Sequence, residues 1–140
     1  MSDATKGLVA VAVTRDEARI WLSGVESGSR PETLRAPDER ERHHHVREAQ
    51  RHRGHDTDHT DVAFFEGLTE AVRGAREIVL VGHGTGKANT MLRLVQYWER
   101  KHPDVARTVV GAIDSNLEAM TDAEIAKEVR EWWDEYHEFL

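Results

Sequence analysis

One stretch of the sequence, from Glu77 to Arg93, places the strongest limit on what this chain can fold into. It opens with Ile78–Val81, an apolar run that is too short for a helix, and this pattern predicts a strand buried on both faces. Glycines and a lysine follow, and then a helical stripe of apolar residues at Met91, Leu94, Val95 and Trp98. α/β proteins bind anions in such a layout, because free N–H groups and the helix dipole favour negative charge at the helix start.

The spacing of the glycines excludes two nucleotide-binding motifs. The nucleotide-triphosphate loop needs four residues between its first glycine and Gly-Lys-Ser/Thr, but Gly82 lies one residue too close to Gly86, and Ala88 replaces the hydroxyl residue. The dinucleotide pattern needs a glycine where Lys87 lies. We therefore expect no nucleotide cofactor, and either a tight turn that needs small residues or a contact to another anion, such as an RNA phosphate.

Composition indicates one soluble domain covering residues 1–140, long enough for a substantial core. No apolar run approaches the ~20 residues of a membrane span, and the N-terminus shows no signal pattern, so we expect no membrane contact. The chain contains no cysteine, which excludes thiol catalysis and fits the cytoplasm. Its net charge of −7 argues against a free-standing DNA-binding protein but permits a local RNA contact.

The N-terminal third predicts a small antiparallel meander. Gly7–Thr14 and Ala18–Gly24 are apolar runs separated by a short polar interruption, which is typical of a β-hairpin. In the second run, Ile20 and Trp21 should face opposite sides of the sheet. Pro31–Leu34 is interpreted as a third, shorter strand.

Helices and one further strand follow. Apolar residues recur at helical spacing from Val62 to Val72, and Gly74 is positioned to end that helix. Pro103 stops the helix that follows the glycine turn. Arg107–Ile113 is interpreted as another buried strand, and Thr121–Glu124 has the sequence of a capping box that begins a last helix.

The order of elements, three strands and then helix-strand-helix-strand-helix, predicts an α/β fold. A meander followed by two α–β units makes a mixed five-stranded sheet, and we expect the strand order 3-2-1-4-5, the ribonuclease-H-like arrangement, with helices on both faces. Ile78–Val81 and Thr108–Ile113 should be parallel neighbours, connected by the helix that contains Met91–Trp98.

Residues 37–60 differ from the rest of the chain, since they include six histidines, five arginines and hardly any apolar side chain. Such a segment cannot bury enough surface to offset its ordering entropy, so we expect a mobile loop. Arg47, Arg51 and Arg53, together with protonated histidines, are suited to pair with RNA phosphates. A solvated connector is the alternative, because acidic residues of the same segment oppose these charges.

Two other kinds of site remain open. His52, His55 and His59 have spacings that a zinc or nickel ion can use, although histidine-rich runs also bind metals adventitiously. His83 and Asp114 follow predicted strands at their carboxyl ends, where α/β proteins place active sites. A structural pair is the alternative there, and we identify no catalytic residue because no nucleophile with a paired base is recognisable.

Five short motifs follow one another between roughly residues 54 and 139: Gly54-His55-Asp56, Phe64-Phe65, Gly74–Gly82, Val109-Val110-Gly111 and Thr121–Ile125. In this order they resemble the middle domain of archaeo-eukaryotic class-one release factors and Pelota, and most of all the bacterial relatives of that family. The resemblance implies the fold known as the translational machinery component and a role at the ribosome. In the family's pattern a proline stands where this chain has His83, and an alanine where it has Gly86.

The same resemblance argues against peptide release. In release factors the loop that corresponds to residues 37–60 contains Gly-Gly-Gln, which acts in the peptidyl-transferase centre, and no Gly-Gly-Gln occurs in this chain. We therefore predict a non-catalytic translation-related protein that contacts the ribosome or ribosomal RNA, with its oligomeric state open. A metal-binding domain or a small α/β enzyme is the alternative. The predicted contact residues are Gly82, His83, Gly84, Gly86, Lys87, Arg47, Arg51 and Arg53.

Overall fold

The computed structural model describes residues 6–36, 59–83 and 90–138. Its strands are β1 (Lys6–Val13), β2 (Glu17–Trp21), β3 (Glu32–Arg35), β4 (Ala75–Gly82) and β5 (Val109–Asp114). Its helices are α1 (His59–Val72), α2 (Thr90–Lys101), the short α3 (Pro103–Ala106) and α4 (Asp122–Glu138), with a 3-10 turn at Leu117–Ala119. The predicted order of strands and helices is confirmed, and α3 is one helical turn that the sequence analysis did not predict.

The five strands form one mixed sheet in the order β3-β2-β1-β4-β5, as predicted. β2 is antiparallel to both β1 and β3, whereas β4 is parallel to both β1 and β5. The predicted crossover is also confirmed, because α2 connects the parallel neighbours β4 and β5. β1, β3, β4 and β5 consequently all end at the same side of the sheet, which we call the carboxyl edge.

Helices cover both faces of the sheet, so there are two cores. On one face, α1 and α2 pack Leu68, Leu94 and Trp98 against the strands, and all three are fully buried. On the other face, α4 contributes the core residues Ile125 and Val129. Each such aliphatic side chain stabilises the fold by about 1.5–3 kcal/mol when it leaves water.

The alternation predicted for the second strand is confirmed in β2. Ile20 lies in the core beneath α1 and α2, and its neighbour Trp21 lies in the core beneath α4. Successive side chains of a strand point to opposite faces, so one short sequence supplies both cores.

Local signals determine where several elements begin. Gly74 has a φ of 90°, a left-handed conformation that glycine adopts without strain, and it turns the chain from α1 into β4. The predicted capping box is confirmed: the Glu124 N–H donates to Thr121 Oγ1 at 3.1 Å, and the Thr121 N–H donates to Glu124 Oε1 at 2.8 Å. These two bonds satisfy N–H groups that have no partner within α4.

The last strand begins two residues later than predicted. The N–H groups of Arg107 and Thr108 donate to the carbonyls of Pro103 and Val105, which closes the turn of α3. Because these N–H groups are used there, ladder pairing starts only at Val109.

Candidate functional site

The residues on both sides of the 37–58 segment, Ala36 and His59, lie at the carboxyl edge. The chain leaves β3 at Ala36, whose N–H donates to the carbonyl of Asp16 in the turn between β1 and β2 at 2.9 Å. It resumes at His59, the first residue of α1. Since Gly74 turns the chain directly from α1 into β4, α1 runs back along the sheet and begins near the carboxyl edge. The chain therefore enters and leaves the 37–58 segment at this edge.

The turn between β4 and α2 belongs to the same edge. His83 follows the last residue of β4, and Thr90 begins α2, so both residues that flank positions 84–89 lie where the parallel strands end. The two predicted contact segments, residues 37–60 and Gly82–Lys87, are separate in the sequence. The topology of the described residues brings the ends of both segments to one side of the sheet.

Most of the predicted contact and metal residues lie outside the described residues. These are Gly84, Gly86, Lys87, Arg47, Arg51, Arg53, His52 and His55. His59 is the first residue of α1, but its side chain is also outside what is described. The expected mobility of residues 37–60 concerns the same part of the chain and stays a prediction.

Gly82 is buried at the end of β4. Its carbonyl accepts a hydrogen bond from the Ser115 N–H at 2.8 Å, which extends the pairing with β5 by one residue. A Cβ at this position would lie 2.5 Å from the Cβ of Met91 in the first turn of α2. The strand therefore approaches the start of the helix more closely than any residue with a side chain allows, which gives this glycine a packing role.

His83 and Asp114 lie side by side, as their positions after neighbouring strands predict. The distance from His83 Nδ1 to Asp114 Oδ1 is 3.9 Å, and the two side chains are 53% and 65% exposed. This distance exceeds a hydrogen bond, and an ion pair so open to water is worth at most about 1 kcal/mol. The two side chains thus make an open, solvent-exposed contact with no hydrogen bond between them.

A second polar contact at this edge was not identified from the sequence. The hydroxyl of Ser115, a buried residue directly after Asp114, donates to the Glu128 carboxylate of α4. It ties the middle of α4 to the end of β5. The two residues lie 13 positions apart in different elements, so no local motif signals their contact.

A polar cluster joins α1 to α2. Glu66 Oε2 accepts a hydrogen bond from the Tyr97 hydroxyl and lies 2.6 Å from His102 Nε2. The bonds from Tyr97 and then His102 lower the pKa of Glu66, because both donors stabilise the charged carboxylate. Burial, followed by the bond to Glu66, raises the pKa of Tyr97 to about 12.

A buried hydrogen-bond chain lies beside this cluster. Trp98 Nε1 donates to Thr69 Oγ1 at 2.9 Å, and the Thr69 hydroxyl donates to the carbonyl of Phe65 at 2.7 Å. Both side chains are fully buried, so each polar atom needs the other. Together with the Glu66 cluster, these two hydrogen bonds fix the position of α1 relative to α2, and both helices begin at the carboxyl edge.

Two further properties concern the described ranges only. In residues 6–36, 59–83 and 90–138, no group of three or more His, Asp or Glu side chains is arranged to hold a metal ion. The same ranges contain no helix that is long and apolar enough to cross a membrane.

The fold defines the chain as an α/β protein built on one mixed five-stranded sheet. A scan against protein-family models gives no match, and a search of the curated proteins gives no significant match. Among solved structures, the chain is similar to Pelota from Archaeoglobus fulgidus, with 15% sequence identity and a TM-score of 0.47. The similarity covers 95% of this chain and 37% of the Pelota chain, so the chain spans little more than a third of that protein's length.

Proposed function

We propose that the protein acts in translation, in the cytoplasm, by binding the ribosome or structured RNA through its carboxyl edge without releasing peptides. The main support is the topology of that edge. Residues 37–58 and 84–89, which contain the candidate arginines and Lys87, are flanked on both sides by described residues at this one edge of the sheet. Two distant segments of the sequence can therefore contribute to one surface.

The distribution of charge fits a local contact to phosphate. With a net charge of −7, the chain has no general affinity for polyanions, so the candidate cations must act at one place. Arginine pairs with phosphate through two parallel hydrogen bonds, which favours Arg47, Arg51 and Arg53 for this role. The twelve-residue helix α2 begins at the same edge and has no acidic residue in its first turn, so its dipole is not opposed there.

The sequence motifs supply the reason for choosing the ribosome. The order of segments between Gly54 and Ile125 resembles the middle domain of release factors and Pelota, and in that family the loop corresponding to residues 37–60 reaches into the ribosome. The absence of Gly-Gly-Gln from the chain supports binding without peptide release.

The test is co-sedimentation of the protein with ribosomes. We expect the double variant Lys87→Ala/Arg51→Ala to sediment less than the wild type, because two phosphate contacts are lost. The slope of log K against log salt should fall by roughly 1–2, in proportion to the contacts removed. If histidines of the loop bind as cations, binding should also weaken as the pH rises through ~6.5.

A matched control removes the same charge from the opposite edge. Arg76 lies near the amino end of β4 and Lys101 in the last turn of α2, and both are exposed. Arg76→Ala/Lys101→Ala should sediment like the wild type, and deletion of residues 38–58 should reduce sedimentation further than either double variant. The proposal is wrong if the wild type never sediments with ribosomes, or if both double variants behave alike.

A further inference from the structure

The two outer strands of the sheet differ in how they are protected from pairing with another strand. β3 has four residues, and its Glu32 and Arg35 are exposed. Short length and charge are features that discourage added strands. β5 has six residues and is uncharged until its last residue, Asp114. No other strand in the described part of the chain pairs with its outer side. β5 is therefore the less protected edge.

An irregularity limits the part of β5 that is open. Ile78 pairs with Val109, but Val79 pairs with Gly111, so Val110 is an extra residue that bends the strand. From Gly111 to Asp114 the pairing with β4 is regular. This regular stretch is as long as β3, which shows that four residues suffice for a strand in this sheet.

Helix α4 covers one face of this edge. A Cβ on Gly111 would collide with the ring of Trp132, so α4 lies directly on β5. The helix has a defined rotation, because Arg130 Nη1 donates to the carbonyl of Val25, beyond the end of β2, at 2.6 Å. The side of α4 that contains Arg130 therefore faces β2, and the other side faces the open edge of β5.

The side of α4 toward β5 is acidic. Helical spacing places four glutamates in one stripe on that side, at positions i, i+4, i+7 and i+11, namely Glu124, Glu128, Glu131 and Glu135. The bond from Ser115, which directly follows β5, to Glu128 locates the stripe beside the strand. Glu131 and Glu135 are exposed, and neither makes an ion pair with another described residue.

We propose that the outer edge of β5 binds an extended basic segment of another protein as an additional strand. Backbone hydrogen bonds to Gly111–Asp114 would hold the segment, and its lysine or arginine side chains on the α4 side would contact the glutamate stripe. A second copy of the chain is the wrong occupant. Antiparallel pairing of two β5 strands about a two-fold axis would bring two acidic stripes together on one face. Charge complementarity therefore selects a basic partner.

The test measures binding of a labelled short peptide of alternating lysine and valine by fluorescence anisotropy. A peptide of equal charge whose backbone nitrogens are all methylated has no N–H group to donate to the ladder and should bind much more weakly. Reversing the charge of two residues of the stripe with Glu131→Lys/Glu135→Lys should weaken binding of the lysine–valine peptide by about tenfold, since each change replaces an attraction by a repulsion. Hydrogen exchange should slow at Gly111–Asp114 when the peptide binds.

The matched control, Glu26→Lys/Glu32→Lys, reverses the charge of two exposed glutamates near β3, at the opposite edge of the sheet from β5. It should leave peptide affinity unchanged. Far-ultraviolet circular dichroism verifies that both double variants are folded. Three results overturn the proposal: equal binding of the N-methylated peptide, unchanged exchange in β5, or equal peptide affinity of the two double variants. Sedimentation equilibrium that shows a dimer disrupted by Ala112→Lys would assign the edge to a second copy instead.

Discussion

Replacing Gly82 by alanine tests the close approach of β4 to α2. The new methyl group would lie 2.5 Å from the Cβ of Met91, whereas carbon atoms pack at about 3.5–4.0 Å. The strand end and the helix start would thus have to separate by about 1 Å. The nearest atom is attached directly to the backbone of α2, so a change of side-chain rotamer cannot relieve the contact.

The expected cost follows from packing. Inserting a methylene-sized group into a tightly packed core costs about 1–3 kcal/mol, while alanine in a strand gains roughly 0.5–1 kcal/mol over glycine through chain entropy. We expect Gly82→Ala to lower the free energy of unfolding by about 1–2 kcal/mol. Gly7→Ala is the matched control, because a Cβ at Gly7 would meet nothing within 4 Å, and it should be neutral or slightly stabilising.

Urea unfolding followed by circular dichroism measures both variants and a double-mutant cycle with Met91→Gly. If the collision with the Met91 Cβ causes the loss, the cost of Gly82→Ala should shrink by at least ~0.5 kcal/mol in the Met91→Gly background. Equal stability of Gly82→Ala and the wild type would refute the reasoning. So would a cost that is unchanged when Met91 is glycine.

Two further predictions concern the contacts between α1 and α2. Thr69→Val should lower the free energy of unfolding by about 1–3 kcal/mol in urea titrations, because the buried Trp98 N–H loses its acceptor. Thr33→Val is the control at an exposed site, and an equal loss there would contradict this explanation. The pKa of Tyr97 is raised to about 12 in the folded protein, so its contribution to stability is complete below pH ~10 and is lost as the pH rises toward 12. Tyr97→Phe should therefore flatten the alkaline decline in stability measured by urea titrations between these pH values, and an identical decline in both proteins would count against the assigned hydrogen bond.

Much of the fold could be predicted because its signals are local. Alternation in the second apolar run predicted that Ile20 and Trp21 face opposite sides of the sheet, and the reciprocal pattern at Thr121 and Glu124 located the start of α4. The strand order followed from the sequence of elements, since parallel crossovers are right-handed and short. The β1–β2 meander and the α2 crossover left few other arrangements.

The candidate site was less predictable because its contacts join distant parts of the chain. Sequence spacing identified His83 and Asp114 as neighbours but not their exposure, which depends on what covers the strand ends. Gly82 was interpreted as part of an anion-binding turn, and its contact with Met91 appears only when strand and helix are packed. The Glu66 cluster brings together residues more than 30 positions apart, so no periodicity announces it.

The central position of β1 also constrains how the molecule folds. Leu8 pairs with Glu77, 69 residues later (77 − 8), so the middle of the sheet closes only after the whole meander, the segment at 37–58 and α1 exist. The composition of residues 37–58 predicts a flexible loop, and closing such a loop costs only about 0.6 kcal/mol more for each doubling of its length, so we expect changes in the length of this segment to alter stability little. The rate is more sensitive, since long-range pairing delays folding. On the ribosome that makes this chain, β1 is translated before β4, so the edge of β1 that pairs with β4 has no partner until β4 emerges.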